Sequence, residues 1–381
     1  MSVTHPQGFV AGGTSCGIKG NGLPDLAVVA ADQPVPVAAV FTRNIAAAPP
    51  VVVSRRHLAG GSARAVVINS GCANAATGEA GLAAARGMAE AVAQRLGCLP
   101  TEVMVCSTGP IGDVVPLDLV APAVARIDLT VAGGPAAAAA ILTTDSHAKQ
   151  TEVTASGFTV GGMAKGAGMI RPDMATMLAV ITTDAVATPA ALDAALRRAV
   201  NRTFNALNID GCESTNDTVV LLASGVSGVQ PPPDELANAV EEACRSLAHQ
   251  MAADAEGASR LVTIEVEGAA DDDTALRLAR AVADSALVRA SFYGADPNWG
   301  RLLAALGATR IPFDPAEVDI AYAGIAVAQG GVGTGADPDA VAEKLTGDFA
   351  VAIAVGSGSG RCSLLTTDLT PDYVSFNSER S

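Results

Sequence analysis

The sequence predicts a mixed α/β protein. Strand-like and helix-like segments alternate along the 381 residues, and one segment alternates apolar with polar residues. Hydrophobic residues reach 49% although aromatics reach only 3%. Ala, Val and Leu therefore carry the core, which suits helices packed closely on sheets. The length allows a sizeable core and more than one domain.

Residues 65–69 (AVVIN) read as a buried strand. Residues 81–96 then read as a helix ended by Gly97, and residues 102–107 as a strand running into the turn Thr108-Gly109-Pro110. In the second half, Thr188 followed by Pro189 is a helix start, with Leu192, Leu196 and Val200 at intervals of four. Asp234 is a candidate cap for a longer helix whose inner face is Leu236, Val240, Cys244, Leu247 and Met251. Residues 262–267 (VTIEVE) suit a half-exposed strand, so some strands should be antiparallel. Residues 219–223, 318–322 and 350–355 are further strands, 231–233 an exposed connection, and 329–337 a Gly-rich loop. None of these marks a domain linker. Trp299, the single tryptophan, suits a packing anchor at a helix start.

Composition excludes several partners. A net charge of −15 argues against nonspecific nucleic-acid binding, which needs clustered Lys and Arg, and against docking on anionic lipid. The apolar stretches are interrupted before they could span a bilayer, and no signal peptide is expected. The seven cysteines form no CxxC pair and read as free thiols of a reducing cytoplasm. His5, His57, His147 and His249 have no metal-ligand spacing, so no metal is expected. The acidic run 210–217 has its Gly second, which does not fit an EF-hand loop. No Walker or Rossmann fingerprint is present.

The most informative segment is KGAGMIRPDMATMLAVITTD, residues 165–184. A Gly-rich turn beside Lys165 and a second turn at Arg171-Pro172-Asp173 precede an apolar strand. By composition alone this is a loop feeding a buried strand, with Thr176 a β-branched strand residue.

The segment resembles the cleavage region of the glutamate N-acetyltransferase, or ornithine acetyltransferase, family. GFVAGGTSCGIK, INSGCANAATG, STGPIG, ILTTD, FNALNIDGCESTNDT, DAEGASR and DPNWGR resemble the same family at matching places, so the likeness covers nearly the full length. It implies an αββα-type sandwich of the self-cleaving ornithine acetyltransferase/aminopeptidase kind, with additional α/β elements. It also implies cleavage between Ala175 and Thr176. That gives an α chain of residues 1–175 and a β chain of residues 176–381, intertwined in one α/β body. The Thr176 hydroxyl attacks the preceding carbonyl, an N→O acyl shift gives an ester, and water hydrolyses it.

Cleavage leaves Thr176 with a free α-amine, whose ordinary pKa of about 7.7–8.0 lets it serve as base to its own hydroxyl. A nearby Lys165 cation would lower that value further. The resemblance gives Thr108 and Gly109 the oxyanion role and puts Thr143, or its neighbour Thr144, in contact with substrate. Lys165 would meet the amino-acid carboxylate, and Glu256 the cationic amine of ornithine. Asn377 would reach the site near the C-terminus. The tail departs from the family pattern in lacking a Tyr after Asn377, and Ser381 is the nearest counterpart of the family's terminal substrate ligand.

The activity implied is transfer of acetyl from N2-acetylornithine to glutamate by a ping-pong cycle in arginine biosynthesis. No cofactor is expected, although some family members accept acetyl-CoA as donor. The substrates are small amino acids, and the αβ heterodimers are expected to assemble into a heterotetramer or larger. A hydrolase passing the same acyl group to water, a transferase with another amine acceptor, and a non-catalytic binding protein are the alternatives.

Overall fold

The computed structural model describes residues 2–171 and 177–378. The chain begins with β1 (Phe9–Thr14), β2 (Leu26–Phe41), α1 (Pro49–Leu58), β3 (Ser62–Ser70) and α2 (Gly78–Leu96). Next come β4 (Val103–Thr108), α3 (Leu117–Arg126), α4 (Gly134–Ala140), β5 (Lys149–Thr154), β6 (Thr159–Lys165) and β7 (Leu178–Thr183). The middle holds α5 (Pro189–Arg202), β8 (Leu207–Asn208), β9 (Thr218–Ala223), α6 (Pro233–Ala253) and β10 (Leu261–Ala269). Helices α7 (Asp272–Asp284), α8 (Ala286–Tyr293) and α9 (Trp299–Ala308) follow, then β11 (Asp319–Tyr322), β12 (Ile325–Gln329) and β13 (Val332–Gly333). The chain closes with α10 (Pro338–Ala342), β14 (Phe349–Ala354), β15 (Gly360–Thr367) and α11 (Pro371–Ser378).

These elements form two compact units, each assembled from separate stretches of chain. The first takes residues 1–166, 172–205 and 213–251; the second takes 167–171, 206–212 and 252–381. Nothing in composition marks the division, because one boundary falls inside α6.

In the first unit eight strands run in the order β4-β3-β2-β9-β7-β6-β5, with β1 also on β2. Strand β2 is shared by two half-sheets. Its first half pairs with β3, its last residues pair with β9, and the register shifts between Ala30 and Val35. Alternation along the strands then separates two cores. Val29, Val66, Ile68 and Met104 share an inner core with Met163, Val180 and Val220. Val28, Ala65, Val67 and Val105 face Val53 of α1, Met88 of α2 and Val120 of α3. On the other half, α5 packs on β2 and β9, and Leu247 of α6 reaches β6 at Gly162. The layers are helix, sheet, sheet, helix, as the family resemblance implied.

Local signals account for the helices. Gly97 ends α2 in the left-handed conformation at φ 69°, and the Thr188 hydroxyl accepts the Ala191 N–H at the start of α5. All five expected inner residues of α6 are buried. That helix starts at Pro233, so Asp234 belongs to its first turn rather than capping it.

The second unit has a seven-stranded sheet, β13-β12-β11-β14-β10-β15-β8. Strand β10 runs parallel to β14 and antiparallel to β15, with Glu265 and Glu267 exposed on alternate positions. Trp299 opens α9 and packs against this unit's core. The Gly-rich stretch beginning at Gln329 is a tight β12–β13 hairpin rather than a plain loop. Of the cysteines, Cys72, Cys106 and Cys244 are buried and Cys212 is exposed; burial pushes the Cys106 thiol up to about 12. Among the described residues no helix is long and apolar enough to cross a membrane.

Candidate active site

In the first unit the oxyanion candidates sit where β4 ends. The turn after Thr108 is tied to the 71–73 segment: Cys72 N–H donates to the Thr108 carbonyl and Ala73 N–H to that of Pro110, both at 3.0 Å. Gly109 adopts φ 136°, and a Cβ there would collide with the Cys72 nitrogen. Only glycine fits on both counts. The buried Asn216 amide holds the same turn from another element, donating to the Ala73 carbonyl at 2.7 Å and the Ser107 carbonyl at 2.8 Å.

Lys165 ends β6, and its Nζ donates to the Thr108 Oγ1 at 3.1 Å. Lys165 pairs in register with Leu178, and Leu178 with Thr218. Thr218 N–H also donates to the Met177 carbonyl at 3.0 Å. Strand β7 is therefore internal, and its first residues enter the sheet beside Lys165. Ala175 and Thr176 lie outside the described residues.

Asp145 organises the other side of Lys165. Its buried carboxylate accepts from Lys149 Nζ at 2.7 Å, from the Gly166 N–H at 2.6 Å and from the Thr143 N–H at 3.1 Å. Burial alone would raise this carboxyl, but the Lys165 and Lys149 cations and these donors outweigh it and hold it below the usual carboxylate range. Thr143 is thus fixed through its backbone, whereas Thr144 is exposed. Asp217, preceding β9, is pushed well above the usual range by burial, against the Ser214 hydroxyl and the Lys165 cation.

The second unit brings Glu256 and Asn377 together. Glu256 follows the end of α6, and its N–H donates to the Ala167 carbonyl at 2.9 Å. A Cβ on Gly168 would collide with the Glu256 carboxylate, so glycine lets that carboxylate lie on the backbone. Asn377, on α11, donates from Nδ2 to Glu256 Oε2 at 3.1 Å. Helix α11 is held by the Thr370 hydroxyl, which donates to the Gly257 carbonyl and accepts the Tyr373 N–H. The loop before Arg171 is pinned by Asp210, whose carboxylate accepts from Met169 N–H at 2.6 Å and Ile170 N–H at 3.0 Å. Met169 has φ 54°, an uncommon conformation for a side chain of this size. Ser381 lies outside the described residues.

A model of the ArgJ family matches residues 10–381. The chain belongs to the ArgJ family. It is 49% identical to the arginine biosynthesis bifunctional protein ArgJ of Mycobacterium leprae, covering 100% of this chain and 96% of that protein. Identity to the ArgJ of Thermobifida fusca is 48%, over 100% of both. The solved ornithine acetyltransferase of Mycobacterium tuberculosis, in complex with ornithine, is 46% identical over 46% of this chain and 96% of that one, with a TM-score of 0.45. Membership at this identity over the whole chain makes the protein an enzyme, an acetyltransferase of arginine biosynthesis.

Of the sequence-predicted residues, the structure joins Lys165 to Thr108, next to Gly109, and Glu256 to Asn377. Three organising residues of this ArgJ chain went unnoticed: Asp145, Asn216 and Asp210. All lie inside runs that carry the family resemblance. Each bonds a backbone group away from its own segment: Asn216 lies 109 residues from Ser107, Asp210 41 from Met169 and Asp145 21 from Gly166, and no local spacing displays that.

Proposed function

We propose that the enzyme moves the acetyl group of N2-acetylornithine to glutamate through an acetyl ester on Thr176, after the chain cuts itself between Ala175 and Thr176. The carrying observation is the meeting of Thr108, Gly109 and Lys165 where β7 enters the sheet. The Thr176 oxygen attacks the acetyl carbonyl. The Thr108 hydroxyl and Gly109 N–H face the developing oxyanion, while the Thr176 α-amine takes the hydroxyl proton and returns it to the leaving ornithine amine. Glutamate then attacks the ester, leaving as N-acetylglutamate and restoring Thr176. Lys165 suits the α-carboxylate common to both substrates, and Glu256, steadied by Asn377, suits the ornithine side-chain amine. Thr143 lines the donor side, and no cofactor takes part. The two fragments stay together as αβ heterodimers, which pair into larger assemblies.

Two measurements test this reading. Enzyme mixed with N2-acetylornithine alone should release a stoichiometric burst of ornithine and leave an acetylated 176–381 fragment, which glutamate discharges. Product formation that requires both substrates at once would overturn the ping-pong scheme. Thr108→Ala should lower kcat on the order of 10²–10³-fold with KM nearly constant; a change confined to KM would remove Thr108 from the oxyanion site.

A further inference from the structure

Lys19 has no part in the scheme above, yet it borders the oxyanion turn through Gly71. It lies in the loop between β1 and β2. The Asp25 carboxylate shapes that loop, accepting N–H bonds from Cys16, from Gly17 at 3.0 Å and from Lys19 at 3.1 Å. The Lys19 stem runs over Gly71, where a Cβ would fall 2.9 Å from Lys19 Cγ. Gly71 is in turn the surface on which Gly109 packs, since a Cβ on Gly109 would fall 2.5 Å from the Gly71 carbonyl carbon. Lys19 thus packs on Gly71, and Gly71 on the oxyanion turn at Gly109.

The half-buried ammonium donates to the Pro24 carbonyl at 2.7 Å, which uses one of its three donors. Burial lowers its hold on its proton, Asp25 and Asp145 act against that, and the Lys165 ammonium adds to it. Beyond these two carboxylates, the donors that Pro24 leaves over on the Lys19 ammonium can still bond a further carboxylate. The two amino acids of the proposed cycle differ in just this respect. Ornithine carries one carboxylate and a side-chain cation, whereas glutamate carries two carboxylates. Lys165 suits the shared α-carboxylate, which leaves the glutamate side-chain carboxylate to a second cation of the first unit.

We propose that Lys19 receives the side-chain carboxylate of the acyl acceptor and so selects a dicarboxylic amino acid for the second half of the cycle. This assignment rests on the acetyl-transfer reading. Lys19→Met keeps the stem over Gly71 and removes the charge; Lys19→Arg keeps the charge. Each enzyme is acetylated with N2-acetylornithine, and the acetyl group is then discharged to glutamate or to glutamine, which lacks the side-chain charge. Lys19→Met should raise the glutamate KM on the order of 10- to 100-fold, the scale of one charge-assisted hydrogen bond. The loss in the ornithine burst should be about tenfold smaller. The preference for glutamate over glutamine should collapse in Lys19→Met and return in part with Lys19→Arg. Equal losses in burst and discharge, or an unaltered glutamate preference beside a normal burst, would overturn the assignment alone. Absence of the burst from the wild-type enzyme would overturn the acetyl-transfer reading and this assignment with it.

Discussion

Thr176→Ala leaves the chain as a single 37.9 kDa species on a denaturing gel and removes acetyl transfer: that is the expected result. Two losses coincide in this variant. The hydroxyl that would attack the Ala175 carbonyl is gone, so the α-amine that cleavage would create never forms. The oxygen that would carry the acetyl group is gone as well. A nucleophile and its base acting as a unit are lost together, and such losses run on the order of 10⁶-fold in kcat. Wild-type protein should give fragments of 175 and 206 residues, with an N-terminal Thr in the second by intact mass. Thr176→Ser keeps a hydroxyl and should retain cleavage. Splitting of the Ala variant at the same bond would remove Thr176 from the cleavage role, and transfer by it at close to the wild-type rate would remove it from the acetyl-carrying role.

Asp145→Ala is expected to be the most damaging change away from Thr176. The Asp145 and Lys149 side chains are both fully buried, 2.7 Å apart. Deleting one member of a buried pair typically costs about 3–5 kcal/mol, because the other charge keeps its desolvation penalty. The Gly166 and Thr143 N–H groups lose their acceptor too. The denaturation midpoint should fall sharply, and activity with it, since Gly166 adjoins Lys165. The double variant Asp145→Asn/Lys149→Met keeps an acceptor while removing the buried cation, and should recover most of the stability. Failure of the double variant to improve on Asp145→Ala would show that the charge pair is not the cause.

The pH dependence of this effect has a definite sign. The folded-state pKa of Asp145 lies below its ordinary value, so its stabilisation is present above the usual carboxylate range. It fades as acid takes the pH down through the folded value. The gap between wild-type and Asp145→Ala stability should therefore narrow in acid and be full at neutral pH.

Sequence patterns disclosed the elements whose signals are local. The spacing of Leu236, Val240, Cys244, Leu247 and Met251 defined α6, and the alternation in VTIEVE defined β10. Strand β2 escaped notice for a physical reason. Asp32, Gln33, Pro34 and Pro36 interrupt its apolar run, and proline removes a ladder donor. The strand passes through them because its register shifts between Ala30 and Val35, leaving residues 32–34 exposed and outside the pairing with β3. That irregularity lets one strand serve two half-sheets, and it is a tertiary fact. The site divides in the same way. Thr108, Gly109, Lys165, Glu256 and Asn377 followed from the family resemblance. Asp145, Asn216 and Lys19 act by bonding or packing against backbone brought from elsewhere, which becomes visible only when the chain is folded.

The position of β9 bears on how the protein is made. Residues 218–223 sit between β2 and β7, although both neighbours precede them in the chain. As the polypeptide leaves the ribosome, β2, β6 and β7 emerge while the strand that joins them is still being translated. Until it arrives, the last residues of β2 and one side of β7 present unpaired edges, the kind of surface that recruits chaperones or misassembles with other chains. Sheet closure is consequently a late event in biosynthesis. On the proposed scheme, a cut at Ala175–Thr176 that depends on the folded sheet would wait until β9 has been translated, so the nascent chain would not be severed before its two parts are interlocked.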